Sequence, residues 1–462
     1  MTSKRMTPFA GAVTALAVAL TASGCGMGSG TDDAAAPVGR VPELGADQKV
    51  SIVLESYNFG QAGPWTDTFN ELLATFHKAH PNIKVTGQKP QGNSANPATD
   101  TVSSLQSQLA TGNPPDVAQL GFSDLDFAVN QLKAAPLDDL VGKQEVQDNF
   151  TGAKYPYART ARALGDWSGK TYGVPFVFST PVLYYNAALF TAAGLDADKP
   201  PKTWAEVERA ALAIKEKTGK DGAYVDCLTK VSKDWCFQAL VRSGGGRVIS
   251  EDRKSLRFAE PAVAGTVKTM QGLVRSGAMP NRTQQQAVEG FARGDLGMIL
   301  ESSAMQGTFG KGAGDKWKLR SAPMPAFEGK PVVPTNSGAS LFVFAKDPAK
   351  QRAAWELIKF LTSEEAYTTI ATKIGYLPLR PELVNDPKAL KPWADSNPLI
   401  KPNLQQLARM EPWVSFPGTS YLQIRDGMME AVEDAVFQGK DPGRTLRTRQ
   451  DEVTGLMPGS SR

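Results

Sequence analysis

The sequence predicts an α/β protein built as two units. Between residues 50 and 120, short aliphatic runs alternate with amphipathic helical stripes. That order, strand–helix–strand–helix–strand, gives a mainly parallel sheet. The alternation restarts near Ser179 with a new strand and then a capped helix. The 462-residue length agrees, because it is more than one small core needs.

The elements follow in order from the N-terminus. Lys4 and Arg5 form a basic start, and residues 9–20 form a short apolar run followed by small residues. The run is too short for a comfortable transmembrane helix and reads as an export signal over residues 1–24. It ends in Ala22-Ser23-Gly24-Cys25, which resembles a bacterial lipobox except that Ala22 stands where Leu is usual. Cys25 is therefore the expected lipidation site, with plain secretion as the alternative. Residues 25–47 are rich in Gly, Ser, Ala, Asp and Pro and cannot bury a core, so a flexible tether is expected there.

Val50-Ser51-Ile52-Val53-Leu54 reads as the first strand. Phe69, Leu72, Leu73 and Phe76 share one helical face, and His80-Pro81-Asn82 ends that helix. Ile83-Lys84-Val85 is the second strand, and Val102, Leu105 and Leu109 mark the next helix. Residues 116–120 form the third strand. In the second unit, Val182-Leu183-Tyr184-Tyr185 is a strand, and Thr203-Trp204-Ala205-Glu206 is a capping box. Gly219 is placed to end that helix. Ala354, Leu357, Ile358 and Leu361 form a further stripe, and Ser363 opens another helix.

Composition narrows the function. Hydrophobic residues make up 41% and charged residues 21%, the balance of a soluble globular body. Lys and Arg total 51 against 47 Asp and Glu, a small dispersed excess that gives no footprint for nucleic acid. The only histidines, His77 and His80, lie one helical turn apart with no acidic or thiol partner, so a solvated helix end is expected rather than a metal site. Gly307–Lys316 is glycine-rich without the GK[ST] of a phosphate loop and is expected to be a surface turn. No nucleophile elbow is present, and nothing separates a glycosidase carboxylate pair from a solvated one. Cys227 and Cys236, nine residues apart in an exported chain, are expected to form a local disulfide.

Several segments are not generic: Asn113-Pro114-Pro115-Asp116-Val117, Ser179-Thr180-Pro181-Val182-Leu183-Tyr184-Tyr185-Asn186, Pro200-Pro201-Lys202-Thr203-Trp204, Gly338-Ala339-Ser340-Leu341 and Gly375-Tyr376-Leu377-Pro378. With them the chain resembles the family 1 extracellular solute-binding proteins of ABC importers over residues 52–446. It is similar in particular to the members that bind glycerol 3-phosphate or glycerophosphodiesters. The resemblance implies a periplasmic-binding-protein fold: two α/β lobes, three crossings near residues 178–181, 322–326 and 376–380, and a central cleft that closes on ligand. Lobe I is expected at 48–177 plus 327–374, and lobe II at 178–326 plus 375–455. Implied partners are a small phosphorylated polyol or sugar, two permease subunits with an ATPase, and the membrane through the lipid on Cys25. No enzyme activity, cofactor, metal or nucleic acid is implied.

The same resemblance implies the site. Ser179 and Ser302 would offer hydroxyls, Gly338 a backbone N–H, and Tyr376 with Arg425 a phosphate grip. Trp204 and Trp235 would be cleft aromatics. The alternatives are a helix-start core residue for Trp204 and a surface ion pair for Arg425. Where the glycerol-3-phosphate binders carry an acidic residue for glycerol hydroxyls, Phe122 stands here, and a Tyr of the preceding loop is replaced near Pro97 and Ala98. Tyr57, Asn58 and Asp124 are the candidates to rebuild that half of the site. If instead the ligand is an oligosaccharide, tryptophans and carboxylates would replace Arg425 as the main contacts.

Overall fold

Two sheets organise the chain in the computed structural model, which describes residues 40–459 apart from 62, 95, 152 and 153. The export signal, Cys25 and most of the expected tether lie outside the described residues. The first sheet has five strands in the order Ile83–Gln88, Val50–Glu55, Val117–Gly121, Ser337–Val343, Gly173–Ser179. The first three pair in parallel, and the last two join antiparallel. The second sheet has four strands, Leu319–Ala322, Pro181–Asn186, Leu296–Ser302 and Asp221–Val225.

Strand patterning explains the layers. In Val117–Gly121, Val117 faces one core while Ala118 and Leu120 face the other. This period-2 alternation covers both faces of the sheet with apolar contacts. The chain passes from the first sheet to the second at Thr180, between Ser179 and Pro181, and returns between Ala322 and Ser337. The third crossing is longer. Leu379, Leu383, Leu390, Ala394 and Ile400, expected with the second lobe, are buried in the core that also holds Trp355. Trp413, Phe416 and Tyr421 join the other core.

Helix ends follow the local chemistry. Trp65–Ala79 buries Phe69, Leu72, Leu73 and Phe76. Trp204–Thr218 starts with the Thr203–Glu206 capping box and ends at Gly219, whose φ of 69° suits the left-handed cap. Ser363 caps Glu364–Lys373 by accepting from Ala366 N. His77 Nε2 accepts from Val85 N at 3.0 Å, and His80 stacks on Phe76, so both histidines serve packing.

Two expectations are corrected. Gln306–Ala313 is a helix, not a surface turn. Phe309 anchors it between Tyr184 and Phe291, and a Cβ on Gly307 would meet Lys373 O at 2.4 Å, so this glycine permits close packing. The expected tether ends early. Val41 N donates to Leu140 O at 2.7 Å, Glu43 pairs with Arg352, and Val41 and Leu44 pack on the first core. No helix among the described residues is long and apolar enough to cross a membrane.

Candidate ligand-binding cleft

A cavity of about 340 Å³ opens between the two sheets. That is the size of a site for a small molecule. The first sheet and its loops contribute Tyr57, Trp65, Pro97, Ala98 and Gly338, and the second contributes Asp226, Trp235, Glu301 and Ser302. Ser179 and Tyr376 line it where the chain crosses. The structure thus brings together Tyr57, Ser179, Trp235, Ser302, Gly338 and Tyr376 from the sequence-predicted set.

Their positions have local causes. Ser179 ends a strand of the first sheet and Ser302 a strand of the second, and their hydroxyls meet at 2.9 Å. Tyr376 follows Gly375, and Leu377 N donates to Phe178 O, which lays this segment along the crossing strand. The Tyr57 and Tyr376 hydroxyls lie 3.5 Å apart, and Trp65 packs edge-on to Tyr376 at 5.1 Å. Burial pushes the Tyr57 phenol up to about 12, so it remains a neutral donor at physiological pH. Gly338 has φ 135°, and a Cβ there would meet Val177 O at 2.0 Å. Only glycine fits that approach between strands. Trp235 opens the helix Trp235–Ser243, and the Cys227–Cys236 bridge, Cα–Cα 4.8 Å, closes the loop that presents it.

Four predicted residues lie elsewhere. Trp204 does not line the cavity; it is buried in the second core against Phe327, as the core reading of a helix-start tryptophan requires. Asp124 is fully buried. It accepts from Gly121 N at 3.0 Å and from the Tyr421 hydroxyl at 2.8 Å, so it joins a turn to the helix Tyr421–Phe437. Arg425 is also buried off the cavity wall. Its guanidinium donates to Asp426 Oδ1 from Nε at 3.0 Å and from a terminal nitrogen at 2.7 Å. Burial opposes its charge, and Asp426, Asp234 and Asp124 outweigh that burial. Asn58 is occupied too, donating to Gln119 at 2.8 Å.

The residues missing from the sequence reading are chiefly acidic and aromatic. Val225 pairs with Leu300 in parallel register, which sets the next residues, Asp226 and Glu301, side by side at the cavity. Their carboxyls are within hydrogen-bonding reach of each other. Asp226 accepts from the Ser232 hydroxyl at 2.7 Å and from the Gln284 amide at 2.8 Å. Burial, then the charge of Asp226, holds the Glu301 carboxyl well above the usual range. Burial also raises Asp226, against its hydrogen bonds. Glu301 is therefore the group that keeps a proton. Trp65 and Trp413 are further wall aromatics, with Trp413 Nε1 held by Asp234 at 3.0 Å. Among the described residues, no group of three or more His, Cys, Asp or Glu is arranged to hold a metal.

The carboxyl pair has a measurable consequence. Folded Glu301 keeps its proton over a pH range in which the unfolded chain has released it. Its contribution to stability is complete below the ordinary carboxylate pKa and is lost as pH rises through the raised value. Glu301→Gln should accordingly lose less stability than wild type as pH rises above the ordinary carboxylate range in thermal melts. Parallel pH profiles would show two ordinary, independent carboxylates.

Comparison with known proteins agrees with this architecture. Residues 71–402 match the family model for bacterial extracellular solute-binding proteins. A protein of Brucella melitensis named sn-glycerol-3-phosphate-binding periplasmic protein is 26% identical over 402 residues, covering 84% of this chain and 88% of its own. Its Agrobacterium fabrum namesake is 28% identical over 289 residues, covering 60% of this chain and 64% of its own, so that match spans under two thirds of the relative. Among solved structures, a Mycobacterium tuberculosis protein in complex with glycerophosphocholine superposes with TM-score 0.74 at 21% identity, covering 88% of this chain and 98% of its own. A maltose-bound T. maritima protein gives the same TM-score and identity, covering 88% and 100%. At that identity these structures establish the shared two-lobe fold. A family match over most of the chain, on a two-sheet body with a cavity between the sheets, makes this protein a member of the bacterial extracellular solute-binding family.

Proposed function

We propose that this protein is the ligand-capturing component of an ABC importer and takes a hydroxyl-rich small molecule, in the first place a saccharide. The lobes close on the ligand and the closed form delivers it to two permease subunits served by an ATPase. The observation that carries the ligand class is the Asp226–Glu301 pair set in a wall with Trp65, Trp235 and Trp413. Aromatic faces suit the apolar C–H faces of a sugar ring, and carboxyls accept from its hydroxyls. Arg425, the residue expected to grip a phosphate, is committed to Asp426. The pair supports binding rather than hydrolysis. Carboxyls in mutual hydrogen-bonding contact leave no room for a glycosidic bond between them, which needs about 5 Å or more.

The second reading is a glycerol-phosphate-type or glycerophosphodiester ligand. It is favoured by the names of the Brucella and Agrobacterium relatives and by the presence of Ser179, Ser302, Gly338 and Tyr376 on the cavity wall. Calorimetry with neutral oligosaccharides such as maltotriose and with glycerophosphocholine separates the two. Under the saccharide reading a neutral oligosaccharide binds, Glu301→Ala, which removes the carboxyl outright, weakens it about 10- to 100-fold, and Arg425→Met changes it little. Binding of the phosphodiester alone, with no neutral oligosaccharide bound, would replace the first reading with the second.

The anchor belongs to the same proposal. Lipidated Cys25 would hold the body at the outer face of the cell membrane, and Cys25→Ser should move the protein from the membrane fraction to the medium or leave uncleaved precursor. Wild-type protein found wholly in the medium would refute the anchor.

A further inference from the structure

Lys233 stands on the cavity wall and enters none of the contacts described so far. Its backbone has φ 59° and ψ −171°, a region essentially reserved for glycine. Such a conformation persists in a side-chain-bearing residue only when its surroundings impose it, and here they do. The Cys227–Cys236 bridge closes the loop. Ser232, just before Lys233, is tied to Asp226 at 2.7 Å. Asp234, just after it, takes Gln238 at 2.7 Å and Trp413 at 3.0 Å. Lys230 Nζ is paired with Glu430 at 2.9 Å on the helix Tyr421–Phe437.

The ammonium itself has no hydrogen bond or ion pair among the described residues. Asp124, Asp234 and Asp426 act on it from a distance, and so does Arg425 with opposite sign. The oxygens of those aspartates are taken up by Tyr421, Trp413, Gln238 and Arg425. Burial lowers the pKa of Lys233, the direction that follows from holding its charge away from water. A strained, partly buried cation facing an open cavity lacks one component, an acceptor on the ligand.

We propose that Lys233 is the charge-selecting residue of the cleft: it seats an anionic group of the ligand, a carboxylate or a phosphate ester, while the Asp226–Glu301 side takes hydroxyls. This rests on the cavity being the ligand site and refines the class to a hydroxyl-rich molecule with a negative group. It also moves the anion grip from Arg425 to Lys233.

The test is calorimetry on wild type, Lys233→Gln and Lys233→Gly. The probes are glucuronate, glycerol 3-phosphate and glycerophosphoglycerol, with glucose and maltotriose as neutral controls. The expected result is that at least one anionic probe binds wild type more tightly than the neutral controls. Lys233→Gln should weaken that probe 10- to 100-fold and leave any neutral saccharide within about twofold. Whichever of the carboxylate and phosphate arms responds identifies the source of the anion. Lys233→Gly serves as the folding control. It relieves the backbone strain, so the ligand-free protein should melt about 1–2 °C higher while losing the anionic probe. Failure of every anionic probe to bind, or equal affinities in wild type and Lys233→Gln, overturns the role of Lys233. Neutral saccharide binding that still depends on Glu301 would leave the saccharide reading intact.

Discussion

Trp235→Ala should weaken ligand capture by about 100- to 1000-fold, the loss expected when a buried aromatic anchor is removed from the centre of a binding site. The ring is only 7% exposed, and what remains exposed faces the cavity. Its backbone is fixed independently of its side chain. Thr335 Oγ1 donates to the Trp235 carbonyl, and the neighbouring Cys236 is bridged to Cys227. Truncation should therefore spare the fold and empty the wall. Trp204→Ala is the contrasting variant. That ring is 2% exposed, packs on Phe327, and has an indole nitrogen with no partner in the second core. Its loss should cost about 3–5 kcal/mol of stability and leave affinity within a few fold. Melting curves paired with calorimetry on maltotriose and glycerophosphocholine read both quantities. A larger affinity loss in Trp204→Ala than in Trp235→Ala would mean the cavity has been assigned to the wrong wall.

That contrast shows where the sequence stops being legible. Trp204 and Trp235 both open helices, and both stand next to polar capping positions. Local pattern gives each helix its start. Which ring meets the cleft depends on which helix faces the other lobe, a tertiary fact with no local signal. The strands and long helices were readable because periodicity and caps act within a few residues. Thr203, Ser363 and Gly219 all do what their residue types predict. The Asp226–Glu301 pair was not readable, since only the parallel register joins residues that far apart. Lys233 gives no sign in sequence of its positive φ. Arg425 is the instructive miss: its partner is the next residue, Asp426, and a simple ion pair was among the readings the sequence allowed.

Arg380→Met should destabilise the protein by about 3–5 kcal/mol, lowering the melting temperature by roughly 4–6 °C for a chain of this length. Arg380 has no carboxylate partner among the described residues. It is 3% exposed and spends its donors on backbone carbonyls: Thr362 O at 2.9 Å, Tyr155 O at 2.6 Å and Asn149 O at 2.9 Å. Its guanidinium also lies over the Tyr157 ring at 4.6 Å. One side chain thus ties the segment after Tyr376 to three other parts of the first lobe. Methionine keeps much of the volume and leaves those buried carbonyls without a donor, so the loss reports hydrogen bonding more than packing. The effect should reach the cleft in weakened form. Leu377 N and Leu379 O fasten the same segment to Phe178 and Ala158, so Tyr376 retains two of its supports. Affinity should fall by less than about tenfold in the folded fraction while the melting temperature drops. A variant that melts like wild type would show that water replaces the guanidinium there, and that the segment is held by its backbone bonds alone.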